Sequence, residues 1–384
     1  MPIWDRLGAD IAELDAAGLR RRRRTISERQ GSEVLVDGRR AINFCANDYL
    51  SLADHPALTA AAIEGARHWG VGSGASHLVS GHFAEHEAAE KKLAALVGCE
   101  AALLFSTGYM ANSGVMPALV GRGDAIFADR LNHASLVDGA LLSRADLRRY
   151  PHADTAALER MLGESSAPRK LIVTDSVFSM DGDIAPLRQL FELAERFDTW
   201  LLIDDAHGFG ILGPHGGGAL RHFGIDSPRV LYIGTLGKAA GVSGAFVAGA
   251  HQVVEWILQK ARTYIFTTGS PPLLAAAICA AADLVEASDD RRMHVAALIR
   301  QLRTGLRHPE RLLASDTPIQ PLIVGSNTAA LALAAALFEE GLWVPAIRPP
   351  TVPQGSARLR ISLSAAHRAD QVDALVAAIN RHSP

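Results

Sequence analysis

One lysine stands apart from every other charge. Lys238 lies in "LYIGTLGKAAGVSGA" (231–245), and no other Lys, Arg, Asp or Glu occurs between residues 230 and 250. An ammonium removed from water loses its hydration, so apolar surroundings lower its pKa and favour the neutral amine. A neutral amine is a nucleophile able to form a Schiff base, and it is also a base. Complementary groups lie elsewhere in the chain. "DDAHGFG" (204–210) carries Asp204 and His207 directly after the apolar run "TWLLI". His133 precedes the helix-like "ASLVDGALL", Ser179 follows "KLIVTDSVF" (170–178), and Thr235 sits three residues before Lys238. "FSTGYM" (105–110) places Gly108 and Tyr109 at a helix start, where unpaired backbone N–H groups suit a phosphate.

These residues must be held by the elements between them. "AALLF" (101–105), "DAIFAD" (124–129), "KLIVTDSVF" (170–178), "TWLLIDD" (199–205), "RVLYIGT" (229–235) and "GAFVAG" (244–249) are continuous apolar runs. Strands buried on both faces and alternating with helices imply an α/β fold with a mainly parallel sheet. In such a sheet ligands bind beyond the carboxyl ends of the strands, which is where the groups above fall. "HPALTAAAIEGARHW" and "HFAEHEAAEKKLAALVG" read as helices, and residues 3–17 read as an amphipathic helix. After about residue 290 the texture changes to that of a smaller α+β domain. The expected division is an N-terminal helix and arm (1–50), a large α/β domain (51–290) and a small α+β domain (291–384).

Other chemistries are excluded by pattern. "GTLGK" lacks the glycine five residues before the Gly-Lys pair and the Ser or Thr after the lysine that a phosphate loop needs. "GVGSGASHLVSG" (70–81) follows a helix rather than a strand, so the dinucleotide fingerprint lacks its context. The 15 histidines read as scattered and the three cysteines as far apart, so no metal site and a reducing cytoplasm are expected. A net charge of −3 gives no general pull toward nucleic acid or an anionic membrane, and no apolar run is long enough to span a bilayer. The one charge block is Arg20 to Arg24.

Taken singly, each candidate has an ordinary reading. A lone lysine usually sits at the surface, an aspartate at a strand end can cap a turn, and most histidines are structural. Packing alone does not place a lysine, a carboxylate, two histidines and a phosphate cradle at four strand ends. Together they meet the protein-side requirements of pyridoxal 5'-phosphate (PLP): an amine for the aldehyde, a carboxylate for the pyridinium nitrogen and donors for the phosphate.

The sequence resembles the α-oxoamine synthases, fold-type I PLP-dependent transferases, over nearly its whole length. The markers are "NFCANDYLSL" (43–52), "GSGASHLVSG" (72–81), "LLFSTGYMAN" (103–112), "ADRLNHASLVDG" (128–139), "VFSMDGDIAPL" (177–187), "DDAHGFG", "TLGKAAGVSGA" (235–245), "TTGSPP" (267–272) and "IRPPTVPQGSARLRISL" (347–363). The chain departs from the family pattern at Cys45 and Ala46, at Ala239 and Ala240, and at Ala75 and His77, none of which removes a cofactor contact.

The resemblance implies roles for individual residues. Lys238 binds PLP, Asp204 protonates its pyridine nitrogen, His207 meets ring O3′ and His133 stacks on the ring. Ser179 lies at the cofactor, and Gly108, Tyr109 and Thr235 hold the phosphate. Thr267 or Thr268 reaches the partner subunit's phosphate across a homodimer interface. Arg360 holds the substrate carboxylate, while Asn47, Thr351 and Arg21 (with Arg20 as the register alternative) line the substrate region. "IQPLIVG" (319–325) and "IRPPTVP" point to the biotin branch of the family. That branch implies a decarboxylative condensation of L-alanine with pimeloyl-CoA or a pimeloyl-acyl carrier protein. The sibling alternative condenses glycine with acetyl-CoA.

Overall fold

Seven strands make the sheet on which the candidate residues converge. Their spatial order is Ala101–Phe105, Ala245–Gly249, Val230–Thr235, Trp200–Asp204, Lys170–Asp175, Ala125–Asp129 and Asp146–Tyr150. The last five are joined by parallel pairings, and Ala245–Gly249 runs antiparallel to both of its neighbours. Every residue of Ala125–Asp129 and Ala245–Gly249 is buried, as continuous apolar runs require. Helices Gly108–Leu119 and Ala134–Ser143 cover one face. Val115, Met116 and Leu136 pack there with Leu103, Val173, Leu202, Ile233 and Val247 of the strands.

The computed structural model describes residues 3–382. Its chain forms two units. One comprises Asn47–Ser179 and Ile184–Arg292 and contains the seven-stranded sheet. The other comprises the chain up to Ala46, Met180–Asp183 and the chain from Met293 onward. In the second unit a sheet of Ile26–Gln30, Glu33–Val36, Arg39–Asn43 and Leu342–Trp343 accompanies a three-stranded sheet built on Ile319–Gly325 and Ala357–Ser362. Its core gathers Phe44, Leu298, Leu302, Leu337, Leu359, Ile361, Leu375 and Ile379. No described helix is long and apolar enough to cross a membrane.

Two elements differ from the sequence reading. The run 170–178 is not one strand, because sheet pairing stops at Asp175. There the Ser176 amide donates to the Asp204 carbonyl, the Ser176 hydroxyl donates to Asp205, and Val177 instead bridges to Ile184. Asp146–Tyr150 is an edge strand with no apolar run to announce it, since it pairs on one side only.

Candidate active site

Lys238 lies on the short connection between the antiparallel neighbours Val230–Thr235 and Ala245–Gly249. The turn is closed by Leu236 N–H to the Gly244 carbonyl, Val242 N–H to the Leu236 carbonyl and Gly241 N–H to the Lys238 carbonyl, each 2.9 Å. Gly241 has φ +69°, and a Cβ there would come within 2.5 Å of the Ala53 nitrogen. Only glycine lets the turn approach the 52–53 backbone so closely. Lys238 Nζ donates to Thr235 Oγ1 at 3.3 Å, so the lysine that begins as an oddity of composition is aimed back at its own strand end.

Asp204 ends the adjacent strand and is 4% exposed. Its Oδ1 accepts the Ala206 N–H at 3.0 Å, and its Oδ2 accepts Asn112 Nδ2 at 2.7 Å. Two donors hold the carboxylate in one orientation at the mouth of the sheet. Asp205, its neighbour in sequence, points the other way. It accepts Tyr232 Oη at 2.7 Å and the Ala219 N–H at 2.8 Å, and burial pushes its carboxyl up to about 6. Of the two consecutive aspartates, Asp205 is thus consumed by internal bonds and Asp204 is the one presented at the strand end.

His207 follows in the same loop and is buried. Its Nδ1 lies 2.7 Å from Tyr49 Oη, which also donates to Asn47 Oδ1 at 3.2 Å. His133 caps the helix Ala134–Ser143, its Nδ1 accepting the Ser135 N–H at 3.2 Å. The His133 N–H donates to Asp175 Oδ2 at 2.7 Å. His133 is an exposed residue, yet packing around the imidazole desolvates it in part and lowers its pKa; Asp204 opposes that shift and Lys238 adds to it. Burial, with Asp204 beside it, holds the Asp175 carboxyl well above the usual carboxylate range. Lys238, Asp204, His133 and Asp175 therefore share one electrostatic neighbourhood.

The helix Gly108–Leu119 starts beside this group. Thr107 uses its Oγ1 to accept Met110 N–H and its carbonyl to accept Ala111 N–H, both at 3.1 Å. The first two amides, of Gly108 and Tyr109, have no such helical partner. A Cβ on Gly108 would lie 2.7 Å from Thr235 Cγ2, so the helix start and the strand end that precedes Lys238 are side by side. A donor cradle, an adjacent amine, a buried carboxylate and two histidines fit the phosphate, aldehyde and ring nitrogen of PLP.

Ser179, Asn47, Thr267 and Thr268 belong to the same unit as this group. Ser179 and Thr267 are half-buried, and Thr268 is exposed. Arg21, Thr351 and Arg360 belong to the other unit. Arg360 is buried on Ala357–Ser362, with Nη1 donating to Ser362 Oγ at 2.8 Å. Arg21 and Thr351 are exposed, and the Thr351 N–H donates to the Arg348 carbonyl.

Sequence reasoning missed Tyr49, Asn112, Ser135 and Asp175, the residues that orient the candidates rather than supply obvious chemistry. Tyr49 and Asn112 stand within quoted motifs, but nothing local says what they touch. The reading of scattered histidines also fails at one place, since His77, His82 and His86 meet. His77 Nδ1 lies 3.1 Å from His82 Nδ1, and His77 stacks on Tyr264. His86 accepts the Phe83 N–H at Nδ1, so its Nε2 proton goes to the Ser270 carbonyl at 2.8 Å. Both His86 nitrogens are therefore committed, leaving no lone pair for a cation.

Comparison with known proteins extends the picture. The family model for class I and II aminotransferases matches residues 39–379. An 8-amino-7-oxononanoate synthase of Aromatoleum aromaticum is 65% identical over 380 residues, spanning 99% of this chain and 98% of that protein. An 8-amino-7-oxononanoate synthase of Azoarcus sp. is 63% identical, spanning 99% of this chain and 97% of that protein. A solved serine palmitoyltransferase described with a PLP internal aldimine matches with a TM-score of 0.93 at 30% identity, covering 99% of this chain and 97% of that one.

Proposed function

We infer the reaction from one premise: the chain belongs to the class I and II aminotransferase family and, within it, to the 8-amino-7-oxononanoate synthases. It is a PLP-dependent acyltransferase of biotin biosynthesis. Its substrates, on this reading, are L-alanine and a pimeloyl thioester carried by CoA or by acyl carrier protein. The products are 8-amino-7-oxononanoate, CO2 and the free thiol. Identity of 65% along 99% of the chain carries this reading.

When bound, PLP supplies an electron-poor ring that accepts the electron pair left on the α-carbon of the amino acid. Lys238 anchors the cofactor through Nζ and, as a free amine, takes the α-proton of alanine. Asp204 keeps a proton on the pyridine nitrogen; its two-donor support and burial favour one fixed orientation. His207, braced by Tyr49, meets the ring oxygen, and His133 covers the ring. Gly108, Tyr109 and Thr235 hold the phosphate, with Ser179 at the cofactor's edge. Arg360 pairs with the alanine carboxylate, a geometry suited to a planar guanidinium. Asn47 and Thr351 line the substrate region.

Arg21 pairs with an anion of the acyl donor in preference to Arg20. Arg20 and Arg22 are tied to Asp15 and Arg24 to Asp37, whereas Arg21 makes no ion pair among the described residues. The reading includes a cytoplasmic homodimer in which Thr267 or Thr268 serves the partner's site. Exposed apolar groups support an interface. Phe266, next to Thr267, is 70% exposed and Val79 is 81% exposed. The helix Ile3–Ala16 buries none of its residues.

Product identification tests the reaction. The enzyme is incubated with L-alanine or glycine and with pimeloyl-CoA, pimeloyl-acyl carrier protein or acetyl-CoA, and products are weighed by mass spectrometry. Alanine with a pimeloyl donor should give 8-amino-7-oxononanoate. Far faster turnover of glycine with acetyl-CoA would overturn the assignment.

A further inference from the structure

We propose that Asn112 and Ser135 are positioning residues, forming a hydrogen-bond relay that ties the Asp204 carboxylate to the His133 imidazole and fixes that ring's proton on Nε2. Asn112 Nδ2 lies 2.7 Å from Asp204 Oδ2 and 2.9 Å from Ser135 Oγ. Ser135 Oγ lies 2.7 Å from His133 Nδ1. Asn112 and Ser135 are 0% and 1% exposed, so water does not compete for the two Asn112 bonds, whereas His133 itself is exposed.

The direction of each bond follows from its partners. A carboxylate only accepts, so Asn112 turns its NH2 toward Asp204. The second hydrogen of that NH2 goes to Ser135 Oγ. The serine hydroxyl, having accepted from Asn112, can still donate or accept, and its hydrogen goes to His133 Nδ1 because that nitrogen already accepts a backbone N–H. The Ser135 N–H reaches the same nitrogen at 3.2 Å. Two donors converging on Nδ1 leave it an unprotonated acceptor, and the ring proton resides on Nε2. Asn112 Oδ1 is buried with no hydrogen-bond partner among the described residues. A packing role alone would not need that amide, whereas a residue required for two N–H donors carries the orphan oxygen as a consequence.

The two donors stabilise the neutral ring, since protonation would set N–H against N–H. Asp204, Asp138 and Lys238 are the charged groups acting on the imidazole, and Asp175 accepts its backbone N–H. The relay thus gives the ring that faces the cofactor a constant charge while the carboxylate that faces it keeps a constant orientation. What the relay is for rests on the proposed places of Asp204 and His133; the tautomer does not.

The test is long-range 1H–15N NMR of the holoenzyme labelled in its histidines, with His133 assigned by the signal missing from His133→Asn. The expected spectrum shows His133 bare at Nδ1 and protonated at Nε2. Ser135→Ala keeps the backbone donor and loses the hydroxyl, so it should move the His133 titration to higher pH and lower kcat about tenfold. Asn112→Ala combined with Ser135→Ala should cost no more than the worse single change, because both break one chain of bonds. A wild-type His133 protonated at Nδ1 would overturn the proposal, and it decides the matter even if the variants do not fold. So would a Ser135→Ala enzyme with an unchanged His133 titration, or additive losses in the double variant. An absent 8-amino-7-oxononanoate product would count against the proposed substrates and leave the NMR result standing.

Discussion

Asp204→Asn preserves shape and removes one charge, which makes its effects calculable from the surrounding bonds. The carboxylate accepts from the Ala206 N–H on one oxygen and from Asn112 on the other. An asparagine must point its NH2 at one of these donors in either orientation. The resulting donor–donor contact costs about 1–3 kcal/mol. Part of this is offset at Asp175, whose carboxyl is raised by burial and next by the Asp204 charge. The melting temperature should therefore fall by only roughly 1–4 °C in a chain of this length, while the transition stays cooperative. Turnover should fall much further. Losing a fixed group aimed at developing charge costs about 3–4 kcal/mol of transition-state stabilisation, or roughly 10²–10³ in kcat. Thermal melting and thiol release are measured on one preparation. A cooperative melt with kcat within about threefold of the parent enzyme would refute the role of Asp204 at the pyridine nitrogen.

Two further perturbations probe the scaffold. Glu90 is half-buried, accepts the Leu104 N–H at 2.8 Å and has its pKa raised from 4.5 to about 7, chiefly by loss of solvent around the carboxyl. The folded state holds this proton more tightly than the unfolded chain, so stability falls as pH rises from about 4.5 to 7 and stays low above. Glu90→Gln should thus be more stable than the parent at pH 8 by on the order of 1–3 kcal/mol, with the gain gone near pH 4; an equal gain at both pH values would contradict the cause given. Gly241→Ala combines a left-handed φ with a backbone clash and should cost about 2–4 kcal/mol. It should also lower turnover, since the same turn carries Lys238; unchanged melting and activity would show that the turn tolerates a Cβ.

The candidate chemistry was legible because it is local in sequence. Lys238 announces itself by being the one charge in a long apolar stretch, and Asp204 by ending an apolar strand. The α/β sheet was legible for the same reason: strands buried on both faces read as unbroken apolar runs. The supports were not legible, because their partners are distant in the chain. Tyr49 and His207 are 158 residues apart and Asn112 and Asp204 are 92 apart. Strands with little burial also escaped. All five residues of Ile26–Gln30 are exposed, so neither alternation nor an apolar run marks it.

We propose that one nitrogen, Lys238 Nζ, carries the cofactor. Borohydride reduction of the holoenzyme, digestion and mass spectrometry test it directly. The expected product is a phosphopyridoxyl group on the peptide containing Lys238. The same group on Lys91, Lys92, Lys170 or Lys260, with Lys238 unmodified, would contradict it.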